Sequence, residues 1–285
     1  MKKNTTIVAV FVLYLTVTSL LAKEKIRLVS LSPNLTETVF QLKRGDCLVG
    51  RSSASNYFKE AKGIPIVGDF GIPSLEQLLL VKPDIVITTV LKDQSVQETI
   101  KKAGIKFYIL PTDSIDSYRK TVKILGCLLD AEENACVEIT RIKNGLEKCL
   151  AQIVTVPEKG RPTVFWEIWD PPLMTVGNRS FLNDFIYYAG GRNITKAKNK
   201  GYFNVSQEWV LSNAPDVIIA PSMGKNRIEQ IKKQLGWKSI PATKNNRIYG
   251  DLDQNLLYLL GPKMFDAIEI IHKCIYKDDK PAAKK

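Results

Sequence analysis

Glu76 and Glu208 stand in matching surroundings: SLEQLLLVKPDIVI at 74–87 and SQEWVLSNAPDVII at 206–219 align without a gap. In each phrase a serine takes a helix-cap position, the glutamate sits two residues inside, and Pro-Asp seven residues later opens a buried strand. The helix dipole favours a carboxylate in that first turn. A pair of carboxylates held at equivalent places can be read by two arginines of a partner through bidentate bonds. A second group is aromatic. Tyr57, Phe70, Trp169, Tyr202 and Phe203 fall in segments that follow strands or precede helices, where their flat faces suit a large, partly apolar ligand. Pro33, at the turn from the first strand into the first helix, joins this candidate ligand-binding set.

Catalysis is poorly supplied. His272 is the single histidine, and it lies in a late amphipathic segment far from any acidic or nucleophilic cluster, the setting of a packing or surface residue. One histidine excludes a metal site built on several. There is no P-loop, no G-x-S-x-G and no dinucleotide fingerprint. An enzyme is therefore the weaker reading, and no catalytic residue, resident metal or cofactor is expected. The formal charge of +12 comes from 41 basic and 29 acidic residues interspersed along the chain. Nucleic-acid binding would need a clustered basic stripe, so no nucleic-acid partner is expected. Cys47, Cys127, Cys136, Cys149 and Cys274 are odd in number and form no C-x-x-C, which leaves their pairing open.

These side chains need a frame. Residues 1–22 read as a secretory signal peptide: two lysines, an apolar run from Ile7 to Val17, then small residues up to Ala22. That run is too short to span a membrane, and no cysteine near it offers a lipid-anchor site, so an exported, periplasmic protein is expected. From 23 to 129, buried strands at Ile26–Leu31, Cys47–Gly50, Ile85–Thr89 and Lys106–Leu110 alternate with helices. Asn34 and Glu37 have capping-box spacing in the first of those helices. Such alternation predicts a mainly parallel sheet with helices on both faces. The pattern restarts at 157–276, with strands at Thr163–Ile168, Asp216–Ala220 and Arg247–Tyr249. Between the halves, Asp130–Val154 predicts one long helix within a 130–156 connector, started by Asp130 and Glu133 and stopped before Pro157. The fold class is α/β: two Rossmann-like lobes joined by one long, rigid helix, with a charged tail at 277–285.

The phrases RLVSLSPNLTETVF, VGDFGIPSLEQLLLVKPDIVI, AGGRNI and VSQEWVLSNAPDVIIA resemble those of periplasmic cobalamin-binding proteins and their siderophore- and haem-binding relatives, which serve ABC importers. The likeness runs through almost the whole mature chain in the same order. It implies two lobes with little hinge motion and a corrinoid held in the cleft between them. It also implies that a monomer docks onto the permease dimer through Glu76 and Glu208. Against that family, Phe70 and Tyr202 stand where tryptophan is usual, WDPPLM at 169–174 replaces an aromatic strand end, and Ala54 and Thr89 thin the aromatic wall. Lys196, Lys198 and Lys200 beside Tyr202 keep a ferric siderophore or haem as the alternative ligand.

Overall fold

In the computed structural model, residues 25–198, 200–223 and 225–276 are described; the expected signal peptide and tail lie outside them. Along the chain come β1 (Leu28–Ser30), α1 (Pro33–Gln41), β2 (Leu48–Arg51), β3 (Gly68–Asp69), β4 (Ile72–Pro73), α2 (Leu75–Leu80), β5 (Ile85–Thr88), α3 (Gln94–Lys102), β6 (Lys106–Ile109), α4 (Ile115–Leu128) and the long α5 (Glu132–Ile153). A second set follows: β7 (Thr163–Trp166), β8 (Met174–Val176), α6 (Phe181–Tyr188), β9 (Arg192–Asn193), β10 (Tyr202–Asn204), α7 (Gln207–Asn213), β11 (Val217–Ile219), α8 (Lys225–Lys233), α9 (Pro241–Lys244), β12 (Ile248–Tyr249), α10 (Gln254–Leu257) and α11 (Met264–Ile275).

Each set builds one four-stranded sheet, in the orders β2-β1-β5-β6 and β12-β11-β7-β9, with every pairing parallel. A parallel sheet covered on both faces needs apolar residues on both sides of its strands, which is why these segments read as unbroken apolar runs. In the first sheet Val29 and Val86 meet Leu78, Ile100 and Phe107 on one face. Leu28, Ile85 and Ile87 point the other way, into a core that continues through Ala135 and Ile142 of α5 to Val164 and Trp166 of the second sheet. Phe165 and Ile218 pack the far face of that sheet around Trp237.

The repeated phrase is a structural repeat. Leu78 and Val210 are the equivalent buried residues of α2 and α7. Lys82 and Ala214 then take the left-handed conformation at matching positions, φ 42° and 41°. Asp84 turns its Oδ2 to accept the Arg27 backbone N–H at 2.8 Å, and Asp216 accepts the Thr163 backbone N–H and hydroxyl, both at 2.7 Å. Each Pro-Asp thus satisfies a backbone donor at the entrance of the neighbouring strand. Two antiparallel ribbons that sequence reading passed over, β3-β4 and β8-β10, lead into α2 and α7.

Two helix starts differ from expectation. Proline is preferred in the first helical turn, where its missing N–H loses nothing; Pro33 therefore opens α1 with Ser32 as cap, and no Asn34–Glu37 box forms. Asn34 instead donates to the Leu260 carbonyl at 2.9 Å. At α5, Asp130 takes φ 49° in the tight turn from α4, so Ala131 is the cap and the Asp130–Glu133 box is absent. The turn closes with the Ala131 N–H on the Gly126 carbonyl at 2.8 Å.

At 22 residues, α5 spans about 33 Å. Its first half lies on the first set: Gly126 passes so close that an added Cβ would stand 2.6 Å from the Ala135 methyl, and Asn134 donates to the Leu42 carbonyl at 3.1 Å. Its second half lies on the second set, where Gly145 sits directly under the Phe265 ring, Ile153 fills the space beside Gly190, and Arg141 donates to the Pro262 carbonyl at 2.8 Å. Among the described residues no disulfide forms. Cys47 and Cys274 are buried, Cys149 is half-buried, and Cys127 and Cys136 are exposed. No described helix is long and apolar enough to cross a membrane.

Replacing Asp84 or Asp216 by alanine leaves strand-entrance donors unmatched. The loss should be at most about 1 kcal/mol for exposed Asp84 and about 1–3 kcal/mol for part-buried Asp216, and the two should add. Urea denaturation of the single and double variants measures this.

Candidate functional site

In open α/β sheets ligands sit beyond the carboxyl ends of the strands, and there most of the aromatic candidates are found. After β1, Ser32 accepts the Thr89 N–H at 2.8 Å and ties the loops of β1 and β5 together. The β3-β4 turn carries Phe70, 38 % exposed. Its neighbour Gly71 must be glycine: φ is 66°, and a Cβ would lie 2.8 Å from the Val90 carbonyl oxygen. The Gly71 carbonyl accepts the Lys92 N–H at 3.1 Å, which fixes this turn over the end of β5. After β2, half-buried Tyr57 lies with its ring 5.9 Å from the Lys263 ammonium. Its phenol is pushed far above the usual tyrosine range, first by burial, then by the Glu37 carboxylate, and further by Asp253 from the second set. Lys263 closes this junction with an ion pair to buried Glu37 at 3.1 Å.

The second set contributes Trp169 and Tyr202, 50 % and 52 % exposed. Trp169 lies in the loop after β7, where its indole N–H donates to the Pro171 carbonyl at 2.9 Å and its backbone bridges to Met174. Tyr202 and Phe203 are adjacent on β10, opposite Val176 and Thr175. Successive strand residues point to opposite faces, so the two do not share a wall, as the sequence grouping implied. Half-buried Phe203 has the Lys200 ammonium 5.9 Å from its ring. Pro33 is buried at the start of α1 and offers little surface.

Behind the Trp169 loop is an ion cluster that no sequence signal marked. Buried Arg227 of α8 donates to Glu167 through Nε at 2.5 Å and Nη2 at 3.0 Å, and to Asp170 through Nη2 at 2.5 Å. Burial pushes the Glu167 carboxyl up, against the pull of Arg227. The three residues come from segments about 60 positions apart, and only the fold unites them. Lys196 pairs with Glu158 beside the start of β7, at the opposite end from the aromatic residues. His272 donates its Nδ1–H to the Ala189 carbonyl at 2.9 Å and lies against Tyr276, a packing role. Among the described residues no group of three or more His, Cys, Asp or Glu is placed to hold a metal.

Glu76 and Glu208 are exposed in the first turns of α2 and α7. The backbone N–H of Glu208 and the Ser206 hydroxyl hold the Glu208 carboxyl below its usual range. Ser206 caps α7 by accepting the Trp209 N–H at 3.1 Å, whereas Ser74 makes no such bond. A groove of about 590 Å³ between α5 and α11 is lined by Arg141, Cys149, Phe265 and His272. None of the candidate aromatic residues lines it.

The chain belongs to the periplasmic binding protein family, whose profile matches residues 28–255. Proteins of this class are the substrate-binding components of ABC importers. An ABC transporter substrate-binding lipoprotein of Bacillus subtilis, YvrC, is 28% identical over 261 residues, 90% of this chain and 82% of its own. A vitamin B12-binding protein of Vibrio campbellii is 24% identical over 225 residues, 78% and 80% of the two chains. The haem uptake protein IsdE of Staphylococcus aureus is 25% identical over 232 residues, 77% of each chain. The crystal structure of IsdE with haem superposes with a TM-score of 0.76 over 88% of this chain and 99% of that one, at 22% identity, which establishes the common fold.

Arg227→Met strands two carboxylates, one of them fully buried, and should destabilise the chain by about 3–5 kcal/mol near neutral pH. The folded variant then binds protons more readily than the unfolded chain, so the deficit should shrink as pH falls. Denaturation at several pH values checks both.

Proposed function

We propose that this chain captures a corrinoid, cobalamin or a close relative, between its two sheets and hands it to the permease of an ABC importer. The observation that carries this reading is the set of exposed aromatic side chains at strand ends of both sheets, Phe70, Trp169 and Tyr202, beside cations already tied to carboxylates. A corrinoid is broad, has an amide rim, and fills its cobalt's coordination with its own ring and axial groups. It asks for apolar faces and hydrogen bonds, with no protein metal ligand. Ferric siderophores and haem propionates ask for unpaired arginine or lysine, yet Lys263 and Arg227 are engaged by Glu37 and by Glu167 with Asp170. Burial raises the phenols of Tyr57 and Tyr258, which disfavours tyrosinate ligation of haem iron by either. The similarity to a vitamin B12-binding protein supports the same choice. Haem or a ferric siderophore is the alternative, favoured by the similarity to IsdE, the exposed Tyr202 and the Lys200 ammonium.

In this proposal the chain is exported by its signal peptide, acts as a monomer without catalysis, and keeps lobes 23–129 and 157–276 in fixed relation through the 130–156 connector. Of the six candidates, Tyr57, Phe70, Trp169 and Tyr202 form the ligand set; buried Pro33 and Phe203, which faces away from Tyr202, lie outside it. Glu76 and Glu208, exposed on equivalent helices, engage arginines of the two permease subunits.

Titration of the purified mature chain with cyanocobalamin and with haem, followed by calorimetry and visible absorbance, tests the ligand. One corrinoid per chain should bind with Kd of about 1 μM or tighter, at least about tenfold tighter than haem. Absence of corrinoid binding at about 500 μM, or tighter haem binding, contradicts the reading. Glu76→Lys with Glu208→Lys should abolish uptake and leave this titration unchanged; normal uptake by the double variant contradicts the docking role.

A further inference from the structure

Exposed leucines stand beside both of the glutamates proposed to dock. On α2, Leu79 and Leu80 follow Glu76 at i+3 and i+4, which places them on its side of the helix, away from buried Leu78. Both are exposed, Leu80 by 69 %, and neither packs into an apolar core of the described residues. On α7 the position matching Leu80 is Ser212, whose hydroxyl donates to the Glu208 carbonyl at 2.9 Å. The chain after α8 supplies a leucine instead. Half-buried Leu211, three residues past Glu208, touches the turn at Gly236, where φ is 78° and a Cβ would lie 3.0 Å from the leucine side chain. Leu235, the residue before that glycine, is 95 % exposed. Exposed Lys82 follows the first pair in sequence and exposed Lys233 and Lys238 flank the second leucine, which keeps each apolar spot small.

We infer that each docking contact is a carboxylate with leucines beside it, Glu76 with Leu79 and Leu80 and Glu208 with Leu235, received by a permease arginine seated among apolar side chains. This rests on the docking reading and sharpens it. A carboxylate–arginine pair left in water is worth little, and salt screens it further. Leucines that close around the pair exclude water from it, as the ring about an interface hot spot does, and so strengthen the attraction. Covering one leucine adds a contribution on the order of tenfold in affinity. Single exposed apolar residues are ordinary on protein surfaces. What sets these apart is their place: they stand beside the same turn of a repeated helix in both sets, and on the second set an unrelated segment brings the leucine there.

The test is binding of the full mature chain to its permease–ATPase complex in lipid nanodiscs, at about 50 mM and about 300 mM salt. Leu79→Ser with Leu80→Ser should weaken docking by about tenfold or more, and Leu235→Ser by about threefold to tenfold. Val137→Ser, which changes a residue of α5 that is 66 % exposed, should alter docking by less than about twofold. With the leucines gone, water reaches the ion pairs, so the loss of docking between low and high salt should steepen. Ligand titration of every variant should match that of the native chain. Native-strength docking by the leucine variants, while Glu76→Lys with Glu208→Lys loses docking, overturns the inference and leaves the docking reading in place. Normal docking by the glutamate double variant overturns the two together. Self-association of the chain in sedimentation, lost in Leu80→Ser, assigns the leucines to a second copy and overturns the inference as well.

Discussion

The packing of α5 against both sheets is the constraint on which the rest depends. Where Gly126 meets Ala135 and where Gly145 meets Phe265, absent side chains let the helix approach each set at van der Waals distance. Close-packed interiors transmit displacement, since few voids exist to absorb it. The polar contacts follow the same path. Glu138 of α5 is buried, holds Arg141 in a bidentate pair and accepts from Gln41 of α1, while Arg141 reaches the Pro262 carbonyl. A few residues on, Lys263 returns to Glu37 of α1. Helix α1, the spine and the entrance to α11 are thereby joined in one circuit, and the two sheets share one continuous apolar core.

That circuit gives the candidate site its character. The aromatic side chains sit on loops and ribbons, but the loops hang from buried ion pairs and glycine turns. Arg227 holds the Trp169 loop from behind, and Gly71 seats the Phe70 turn against Val90. Side chains held this way lose little freedom on binding, which favours a ligand that is rigid and flat. On the outer face, Glu76 and Glu208 occupy the same place in a repeated ribbon, helix, left-handed turn and strand. The proposed docking onto a symmetric pair of permease subunits rests on that repeat.

Much of this was legible in the residues. The unbroken apolar runs located the buried parallel strands, and Ala135, Ile139, Ile142, Leu146, Cys149 and Ile153, recurring at alternating steps of four and three, located α5, because both patterns are local consequences of burial. The gapless match of 74–87 with 206–219 was legible too, although its reason, an aspartate closing the entrance of the next strand, emerges only from the pairing of β1 with β5 and of β7 with β11. The helix starts misled because several local signals competed: Pro33 outweighed Asn34, and the turn at Asp130 outweighed its capping potential. The charged parts of the site were not legible. Glu37 and Lys263, or Arg227 and Glu167, are far apart in sequence and meet only through topology. The opposed faces of Tyr202 and Phe203 needed the β8-β10 ribbon, which is too short to produce an alternation signal.

The central claim is that a corrinoid is held at the carboxyl ends of both sheets. A crystal structure of the mature chain soaked with cyanocobalamin tests it most directly. The account predicts the corrin ring between Phe70 on one side and Trp169 and Tyr202 on the other, with the two sheets in the relation described. A ring seated in the groove between α5 and α11, or sheets rotated apart to admit it, would contradict the account.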